Sequence, residues 1–355
     1  MNFALSDEQE FLRDAARGAL GRVATVEAAR EALDGAALPD LWPTAVEAGW
    51  PGLLVSEDRG GAGLGAIEAM LVFAELGRVL ASVPLLGHLP ATLLLDGADT
   101  VAALAGGDRR AAFVPARPSD WTTDPREGLR RAPAPVLDSG ALTGEVAWVP
   151  DAPGADVLVV VCADGRVAVT EEAEVDPVRR YDATRSLGHV RFDGAPATEL
   201  EGADAAAAWH LAQGLLAAES LGAVEVALEA SVAYAKQRFT FGRAIGSYQA
   251  VKHELVEILR RLENARSLMF YAGWAAQDRP AELALAAAAF RTVAGGAIDH
   301  ATRVLISVHG GIGATWEHDA PLYFRRAQLS RRLLGGTTGA SALVADELFR
   351  EARAA

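Results

Sequence analysis

The sequence is poor in several features that particular kinds of protein need. Its 355 residues include one cysteine, Cys162, so it can form no intrachain disulfide and no cysteine-rich zinc site. Basic residues number 33 against 47 acidic ones, and the net charge of −14 would repel a nucleic acid. We see neither a run of about 18 apolar residues, as a membrane span requires, nor the charged and apolar regions of a secretion signal. We therefore predict a cytoplasmic protein that binds no nucleic acid, no membrane and no metal.

The sequence divides into three zones that differ in their residue patterns. A capping-box pair, Ser6 and Gln9, opens a helical zone of residues 1–107. Short β-branched runs separated by Pro, Gly and Asp indicate strands in residues 108–200, and long stretches with few helix breakers return in residues 201–355. The fold class is therefore α+β, with three domains at these boundaries. The predicted elements are helices over 66–80, 205–236, 251–276 and 282–308, and strands over 157–161, 166–170 and 189–192.

Two segments of the last zone carry groups that suit a bound dinucleotide. The segment Arg238–Gln249 offers a guanidinium, the ring of Phe241, backbone bared at Gly242 and an amide side chain. Such groups can hold a pyrophosphate and its neighbours. The pair Gly310–Gly311 follows a helix and lets the backbone approach a ligand closely. Taken singly, each segment is more typical of an ordinary turn between helices.

Taken together, in this order and spacing, the two segments resemble the acyl-CoA dehydrogenase family. That family has an Arg-x-x-Phe-Gly turn with a Gln a few residues on, and a Gly-Gly-x-Gly turn two helices later. The likeness extends over nearly the whole chain, through Leu41–Trp42, Ala48–Leu53, Gly60–Gly63, Leu142–Gly144, Trp148–Val149, Ala155–Asp156 and Asp182–Arg185. It implies an N-terminal helical domain, a middle β-barrel and a C-terminal four-helix bundle. It also implies FAD as cofactor, an acyl-CoA or acyl-carrier thioester as substrate, and α,β-desaturation in which a carboxylate removes the α proton.

The resemblance further implies a flavin held between two subunits. One subunit surrounds the flavin ring and supplies the base, and its neighbour supplies the arginine turn, the glutamine and the glycine turn. The neighbour-side residues are mostly present, namely Arg238, Phe241, Gly242, Gln249, Gly310 and Gly311, with Ser307 where a Gln is common. On the ring side, Trp148 matches a flavin-binding position of the family.

Three departures from the family pattern fall on the ring side. The β-domain flavin motif, of the type Thr-Glu-x-x-x-Gly-Ser, is not visible in residues 121–138. Pro150 stands where the family usually has a flavin-contacting Thr, and it has neither a hydroxyl nor a backbone N–H. Gly335 stands at the usual position of the catalytic Glu, and Ala212 at the alternative position that some relatives use.

Two further groups of charged residues invite a prediction. Glu219 is the carboxylate nearest to Ala212 along the helix, in the apolar run Leu215–Gly222. Buried without a partner it would have a raised pKa and be a candidate base. The alternative is a carboxylate paired with Arg or Lys from a neighbouring helix. A local basic patch that could bind a phosphate is predicted from Arg325, Arg326, Arg331 and Arg332.

Three functions remain open at this point. The leading hypothesis is one subunit of a heteromeric acyl-CoA dehydrogenase, similar to actinobacterial α2β2 enzymes that act on bulky acyl-CoA such as steroid side chains. Its partner would be a second, catalytically complete dehydrogenase-like subunit. The second hypothesis is a complete homotetramer, a partner to itself, that uses Glu219 as base. The third is a non-enzymatic protein that binds acyl-CoA or an acyl carrier, because fold does not fix function.

Overall fold

The computed structural model describes residues 4–96, 98–115, 134–179 and 181–354, and it begins with helices. Ser6 and Gln9 form the predicted capping box, since each side chain accepts from the other residue's backbone N–H. The predicted helix over 66–80 is present as Ala66–Arg78. The helices of this part are α1 (Asp7–Leu20), α2 (Thr25–Glu31), α3 (Trp42–Glu47), α4 (Ala66–Arg78), α5 (Leu85–Leu95) and α6 (Val101–Ala105).

The middle part is made of two four-stranded sheets. The strands are β1 (Ala111–Pro115), β2 (Val136–Asp138), β3 (Ala141–Pro150), β4 (Val157–Val161), β5 (Val167–Thr170), β6 (Glu174–Pro177), β7 (Leu187–Pro196) and β8 (Thr198–Glu199). One sheet has the order β1-β4-β5-β8, with β1 and β4 parallel, and the other has the order β2-β3-β7-β6. A separate apolar core, with Val114, Leu142 and Phe192 among its members, lies between them. The sheets thus form the middle β domain that the resemblance implied.

Helices return for the last part of the chain. They are α7 (Ala205–Gln237), α8 (Gln249–Asp278), α9 (Leu283–His309), α10 (Ala320–Ser330) and α11 (Gly336–Ala354). The three long predicted helices are therefore confirmed to within a few residues, and α9 contacts each of the other four. Helix α7 and the stretch 280–309 are long and apolar enough to cross a membrane, but their apolar windows are 83% and 50% buried within the protein. The predicted divisions at 107/108 and 200/201 fall between elements.

The N-terminal helices and the C-terminal bundle share one core because α4 lies directly against α7. A Cβ at Gly77 would overlap the carbonyl of Glu219, and a Cβ at Gly222 would overlap the carbonyl of Ala74. Glycine at these crossings lets the two backbones touch. The resulting core includes Phe73 on α4 and Leu216 on α7, together with Phe290 on α9.

Candidate functional site

The segment Arg238–Gln249 folds as a small hairpin between α7 and α8. Its strands, β9 (Phe239–Thr240) and β10 (Arg243–Ala244), pair antiparallel around Phe241 and Gly242. Both of these turn residues have positive φ angles, 48° and 78°, as a two-residue hairpin turn requires. Phe241 is 93% exposed, and Arg238 and Gln249 are also exposed. The hairpin therefore presents its predicted flavin-binding side chains to the outside.

Contacts within the hairpin fix its backbone while those side chains stay outside. The backbone N–H of Arg238 donates to the carbonyl of Tyr234 at 2.8 Å, and that of Ile245 donates to the carbonyl of Arg238 at 2.8 Å. The guanidinium of Arg243 lies 4.0 Å from the ring centroid of Tyr248. The Tyr248 hydroxyl in turn donates to the carbonyl of Thr240 at 3.2 Å. The hairpin is consequently an ordered projection rather than a loose loop.

The glycine turn begins where α9 ends at His309. Gly310 has a φ of 65°, and its N–H donates to the carbonyl of Ser307 at 3.1 Å. Gly313 closes the turn by donating to the carbonyl of Gly310 at 3.0 Å. Gly310 and Gly311 are exposed, and a Cβ at either would meet nothing within 4 Å. The space beside this backbone is therefore open to a ligand, as the sequence predicted for a binding turn.

Two aromatic rings bring the hairpin and the glycine turn to the same end of the bundle. Tyr234, four residues before Arg238, stacks on His309, the residue before Gly310, with ring centroids 4.2 Å apart and planes at 30°. Because these rings sit at the C-terminal ends of α7 and α9, those two ends lie side by side. The structure thus brings together two segments that lie about 70 residues apart in sequence.

The ring side of the expected site lies elsewhere, around Trp148 on β3. Trp148 sits in a bulge of β3 with a φ of 60°, and its ring meets that of His189 edge-on at 4.5 Å. A bulge redirects a side chain out of the regular strand pattern. The cavity beside Trp148 has a volume of about 10 Å³ and is lined by Pro115, Val146, Ala147, Trp148, Val149, Pro150, Trp209 and Leu334. That is room for about one water molecule.

Leu334 reaches this cavity from the turn that also holds Gly335. Leu334 has a φ of 49°, which is strained for a residue with a branched side chain. Its carbonyl accepts a 2.6 Å hydrogen bond from the amide of Gln213, the residue after Ala212. The wall where relatives carry a base is therefore formed here by the isobutyl group beside a glycine.

A buried arginine, Arg291, holds that turn by hydrogen bonds. The guanidinium of Arg291 donates to Gln213 at 3.2 Å and to the carbonyl oxygens of Ser330 and Leu333, the latter at 3.3 Å. Burial, assisted by repulsion from Arg185, lowers the pKa of Arg291 to about 10. A cation so placed stabilises the carbonyl end of α10.

Glu219 lies inside the protein with both carboxylate oxygens engaged. Arg185 donates to Oε2, and Arg326 donates to Oε1. Arg326 also bonds Asp182 at 2.9 Å, so two arginines and two carboxylates balance each other between the β6–β7 loop, α7 and α10. This is the paired arrangement that the sequence left as the alternative for Glu219. Ionised groups in such a network are stabilised by their partners, and this favours a structural role.

The predicted four-arginine patch is wrong, because Arg326 is only 1% exposed and serves the interior network. Arg325 donates to the carbonyl of Tyr181 at 2.9 Å, and Arg331 pairs with Asp299 at 3.0 Å. Neighbouring residues on a helix point to different faces, so four arginines close together in sequence need not form one surface. The sequence did not show which of them points into the protein. Of the predicted β-domain flavin segment at 121–138, residues 121–133 lie outside the described part of the chain.

Asp151 is a buried titratable residue that the sequence did not single out. It follows Pro150, has a φ of 61°, and accepts the N–H of Gly87 in the first turn of α5 at 2.8 Å. Burial raises its pKa to about 6. Asp151 therefore fastens the β domain to the N-terminal helices, directly beside the flavin-contact position of the family.

Comparison with known proteins identifies the scaffold. The sequence models of the acyl-CoA dehydrogenase N-terminal and C-terminal domains match residues 6–99 and 204–347. The chain is 33% identical to acyl-CoA dehydrogenase IpdE2 of Mycolicibacterium smegmatis, over 93% of this chain and 96% of that protein. The chain belongs to the acyl-CoA dehydrogenase family. Family membership confirms the expected fold and enzyme class, a FAD-dependent oxidoreductase that acts on acyl-CoA.

Two solved acyl-CoA dehydrogenase structures are similar in both fold and sequence. The Tcur3481–Tcur3483 steroid ACAD superimposes with a TM-score of 0.87 at 26% identity, covering 98% of this chain and 99% of that one. The ChsE4–ChsE5 complex from Mycobacterium tuberculosis superimposes with a TM-score of 0.85 at 25% identity, with the same coverage. Both are complexes of two different chains by name, which agrees with the heteromeric type expected from the sequence.

Among the described residues, those around the hairpin and the glycine turn suit the family's cofactor. Around the hairpin and the glycine turn, exposed cationic, aromatic and glycine positions leave open space that suits the diphosphate part of FAD. Beside Trp148, the recess has a volume of about 10 Å³ among the described residues, and Pro150 offers a ligand there no hydrogen-bond donor. The neighbour-side residues, Ser307 and Trp148 stay predictions as flavin ligands.

Proposed function

We propose that this chain is one subunit of a heteromeric, FAD-dependent acyl-CoA dehydrogenase. It contributes Arg238, Phe241, Gly242, Gln249 and the Gly310–Gly311 turn to a flavin site shared with a different subunit. That partner surrounds the flavin ring and supplies the catalytic base. The observation that carries the proposal is the open backbone at Gly310–Gly311 beside the exposed hairpin, in a chain that has Gly335 and Pro150 where the family resemblance places a base and a flavin-contacting Thr.

Exposed apolar side chains beside the two turns support a protein partner. Phe239 and Phe241 flank the tip of the hairpin, while Ile312 and Trp316, the latter 69% exposed, follow the glycine turn. Large aromatic side chains are enriched at the centres of protein interfaces and are costly to leave in water. A dehydrogenase-like subunit whose ring-side pocket faces this region would cover them and complete the flavin site together.

Within such a site, the residues of this chain bind and orient rather than transfer protons. The Arg238 guanidinium and the Gly310–Gly311 backbone would hold the diphosphate, and Gln249 would fix a neighbouring polar group. Held by these residues, FAD would supply the hydride acceptor that α,β-desaturation of the acyl group needs. Gly335 has no side chain and Glu219 is held by Arg185 and Arg326, so we assign removal of the α proton to the partner.

The substrate class follows from relatives that have the same organisation. One of the two similar heteromeric structures is named a steroid ACAD. We propose an acyl-CoA with a bulky acyl group for the assembled enzyme. The small cavity beside Leu334 supports placing that group in the partner subunit rather than in this chain.

Co-expression with a catalytically complete acyl-CoA dehydrogenase subunit, followed by counting FAD per chain, tests the proposal. We expect the isolated chain to hold little FAD and the complex to hold one FAD for every pair of chains. Arg238→Ala should lower the FAD content of the complex, because a charge-assisted contact to phosphate is removed. Arg279→Ala, at the far end of α8, is the matched control and should leave FAD content unchanged.

Three outcomes would contradict this assignment. Full flavin and turnover from the isolated chain would favour a complete homo-oligomeric enzyme. Binding of acyl-CoA without flavin, in the presence and absence of the partner, would favour a non-enzymatic binding protein. Loss of FAD in the Arg279→Ala complex to the same extent as in Arg238→Ala would mean that general destabilisation, and not a lost ligand, explains the result.

A further inference from the structure

We propose that Tyr234, His309 and His318 are positioning residues that set the hairpin and the glycine turn at the separation one flavin requires. This inference rests on the proposed function, since it concerns the same shared site. It adds three residues that do not themselves belong to the two flavin-binding segments. They act through the backbones of Arg238 and Gly310.

The three rings form one contiguous cluster, in which Tyr234 stacks on His309 and His318 is tilted against His309 by 51°. His309 lies between the other two, with its centroid 4.2 Å from that of Tyr234 and 4.4 Å from that of His318. His309 is buried, and its Nδ1–H donates to the carbonyl of Leu305 at 2.8 Å. His318 accepts the N–H of Ala320 on its own Nδ1 at 3.1 Å. Each imidazole is thereby fixed in orientation by a hydrogen bond to a backbone group near it in sequence.

Tyr234 and His309 are each tied to one binding segment. The hairpin is held to α7 because Arg238 donates to the Tyr234 carbonyl, and Gly246 lies so close to Ala235 that a Cβ there would be 2.9 Å from its carbonyl. The glycine turn starts directly from His309. The separation of the two segments therefore equals the separation of the α7 and α9 ends, and the stacked rings set it.

The tautomers of the two imidazoles agree with this role. A carbonyl can only accept, so His309 carries a proton on Nδ1, and His318, which accepts from an amide, carries its proton on Nε2. Burial and the neighbouring His309 lower the pKa of His318, so its neutral form is favoured.

The test measures FAD affinity and backbone exchange in the assembled complex. His309→Ala should weaken FAD binding about tenfold, because it removes the middle ring of the cluster. His309→Phe keeps a ring and should stay within about threefold of the wild type. Tyr234→Leu is the second variant should the alanine variant fail to assemble. Tyr271→Leu, which removes a ring from the Tyr271–Trp274 pair near the other end of α8, is the matched control and should not change affinity.

Hydrogen exchange separates positioning from mere stability. In His309→Ala we expect faster exchange in both 238–249 and 310–315, while Tyr271→Leu should leave both segments as in the wild type. Unchanged FAD affinity in both His309→Ala and Tyr234→Leu would overturn the inference, as would a His309→Phe variant as weak as His309→Ala. If affinity responds to Arg238→Ala but not to these variants, this inference alone fails. If it does not respond to Arg238→Ala either, the proposed function fails.

Discussion

Arg326 and Glu219 form an ion pair in the interior, where α10 passes α7, and neither side chain is more than 5% exposed. Arg185 completes the contacts of the carboxylate on its second oxygen. A charge pair at this depth needs both partners, because each charge alone would be costly to keep out of water. Replacing Glu219 therefore distinguishes a structural role in the ion pair from a chemical role as catalytic base.

Glu219→Gln should lower the free energy of unfolding by about 3–5 kcal/mol, since it leaves Arg185 without its buried counter-charge and Arg326 with Asp182 alone. Urea unfolding of the isolated chain measures this change. Glu201→Gln, at an exposed position just before α7, is the control and should change stability by less than about 0.5 kcal/mol. A Glu219→Gln variant as stable as the wild type, but without turnover in the assembled enzyme, would instead support the base hypothesis.

His88 should make the fold sensitive to mild acid. It is fully buried, its Nδ1 accepts the N–H of Ala111 at 3.0 Å, and burial lowers its pKa to about 4. The unfolded chain takes up a proton near pH 6.5 and the folded chain only near pH 4, so this stabilisation is present above pH 6.5 and is lost as the pH falls towards 4. The loss is on the order of 3 kcal/mol.

Unfolding free energies measured from pH 7 to pH 4 check this expectation. His88→Phe cannot take up a proton, so its stability should depend less on pH in this window than that of the wild type. Equal pH dependence in the two proteins would show that other groups dominate acid unfolding.

Asp151→Asn should stabilise the protein at neutral pH. The pKa of Asp151 is raised to about 6 by burial, so the folded state favours the protonated form, and its stabilising effect is lost as the pH rises through 6. Asparagine keeps an oxygen that can accept the N–H of Gly87 but has no charge to bury. We expect a gain of up to about 3 kcal/mol at pH 7.5 and almost none at pH 3.5. A gain of the same size at both pH values would rule out this explanation.

Gly222→Ala should destabilise the protein by about 1–3 kcal/mol, because its methyl group would force α4 and α7 apart at Ala74. Gly296→Ala is a matched control on α9, where a Cβ meets nothing within 4 Å. That change should be neutral or stabilising by up to about 1 kcal/mol, as alanine is the better helix former. Thermal unfolding of the two variants distinguishes close packing from helix propensity, and equal effects would contradict the packing argument.

Local signals in the sequence were enough to predict the helices and strands. They were not enough to predict the contacts between them. The Ser6–Gln9 capping box and the long helices depend on residues near each other in the chain, so they could be predicted. The bulge that reorients Trp148 and the burial of Arg326 depend on partners far away in sequence. The stack of Tyr234 on His309 is a contact of the same kind, and no periodicity marks it in advance.

At the candidate site, too, single residues could be predicted from the sequence and their packing could not. Residue types at Arg238, Gly310 and Pro150 were readable one by one through the family resemblance. Cavity volume was not, because it depends on how Leu334 and Trp209 pack against β3 once three parts of the chain meet. The sequence thus suggested altered residues on the ring side, and only the structure gave the packing around them.

The exposed ring of Phe241 also has a consequence for how the cell must handle this chain. At the tip of a two-residue turn it cannot fold back onto its own helices, so a copy made in excess would present it, with Trp316, to chaperones and to other unassembled copies. For the proposed heteromer, balanced synthesis of the two subunits would therefore matter as much to enzyme yield as the stability of either one.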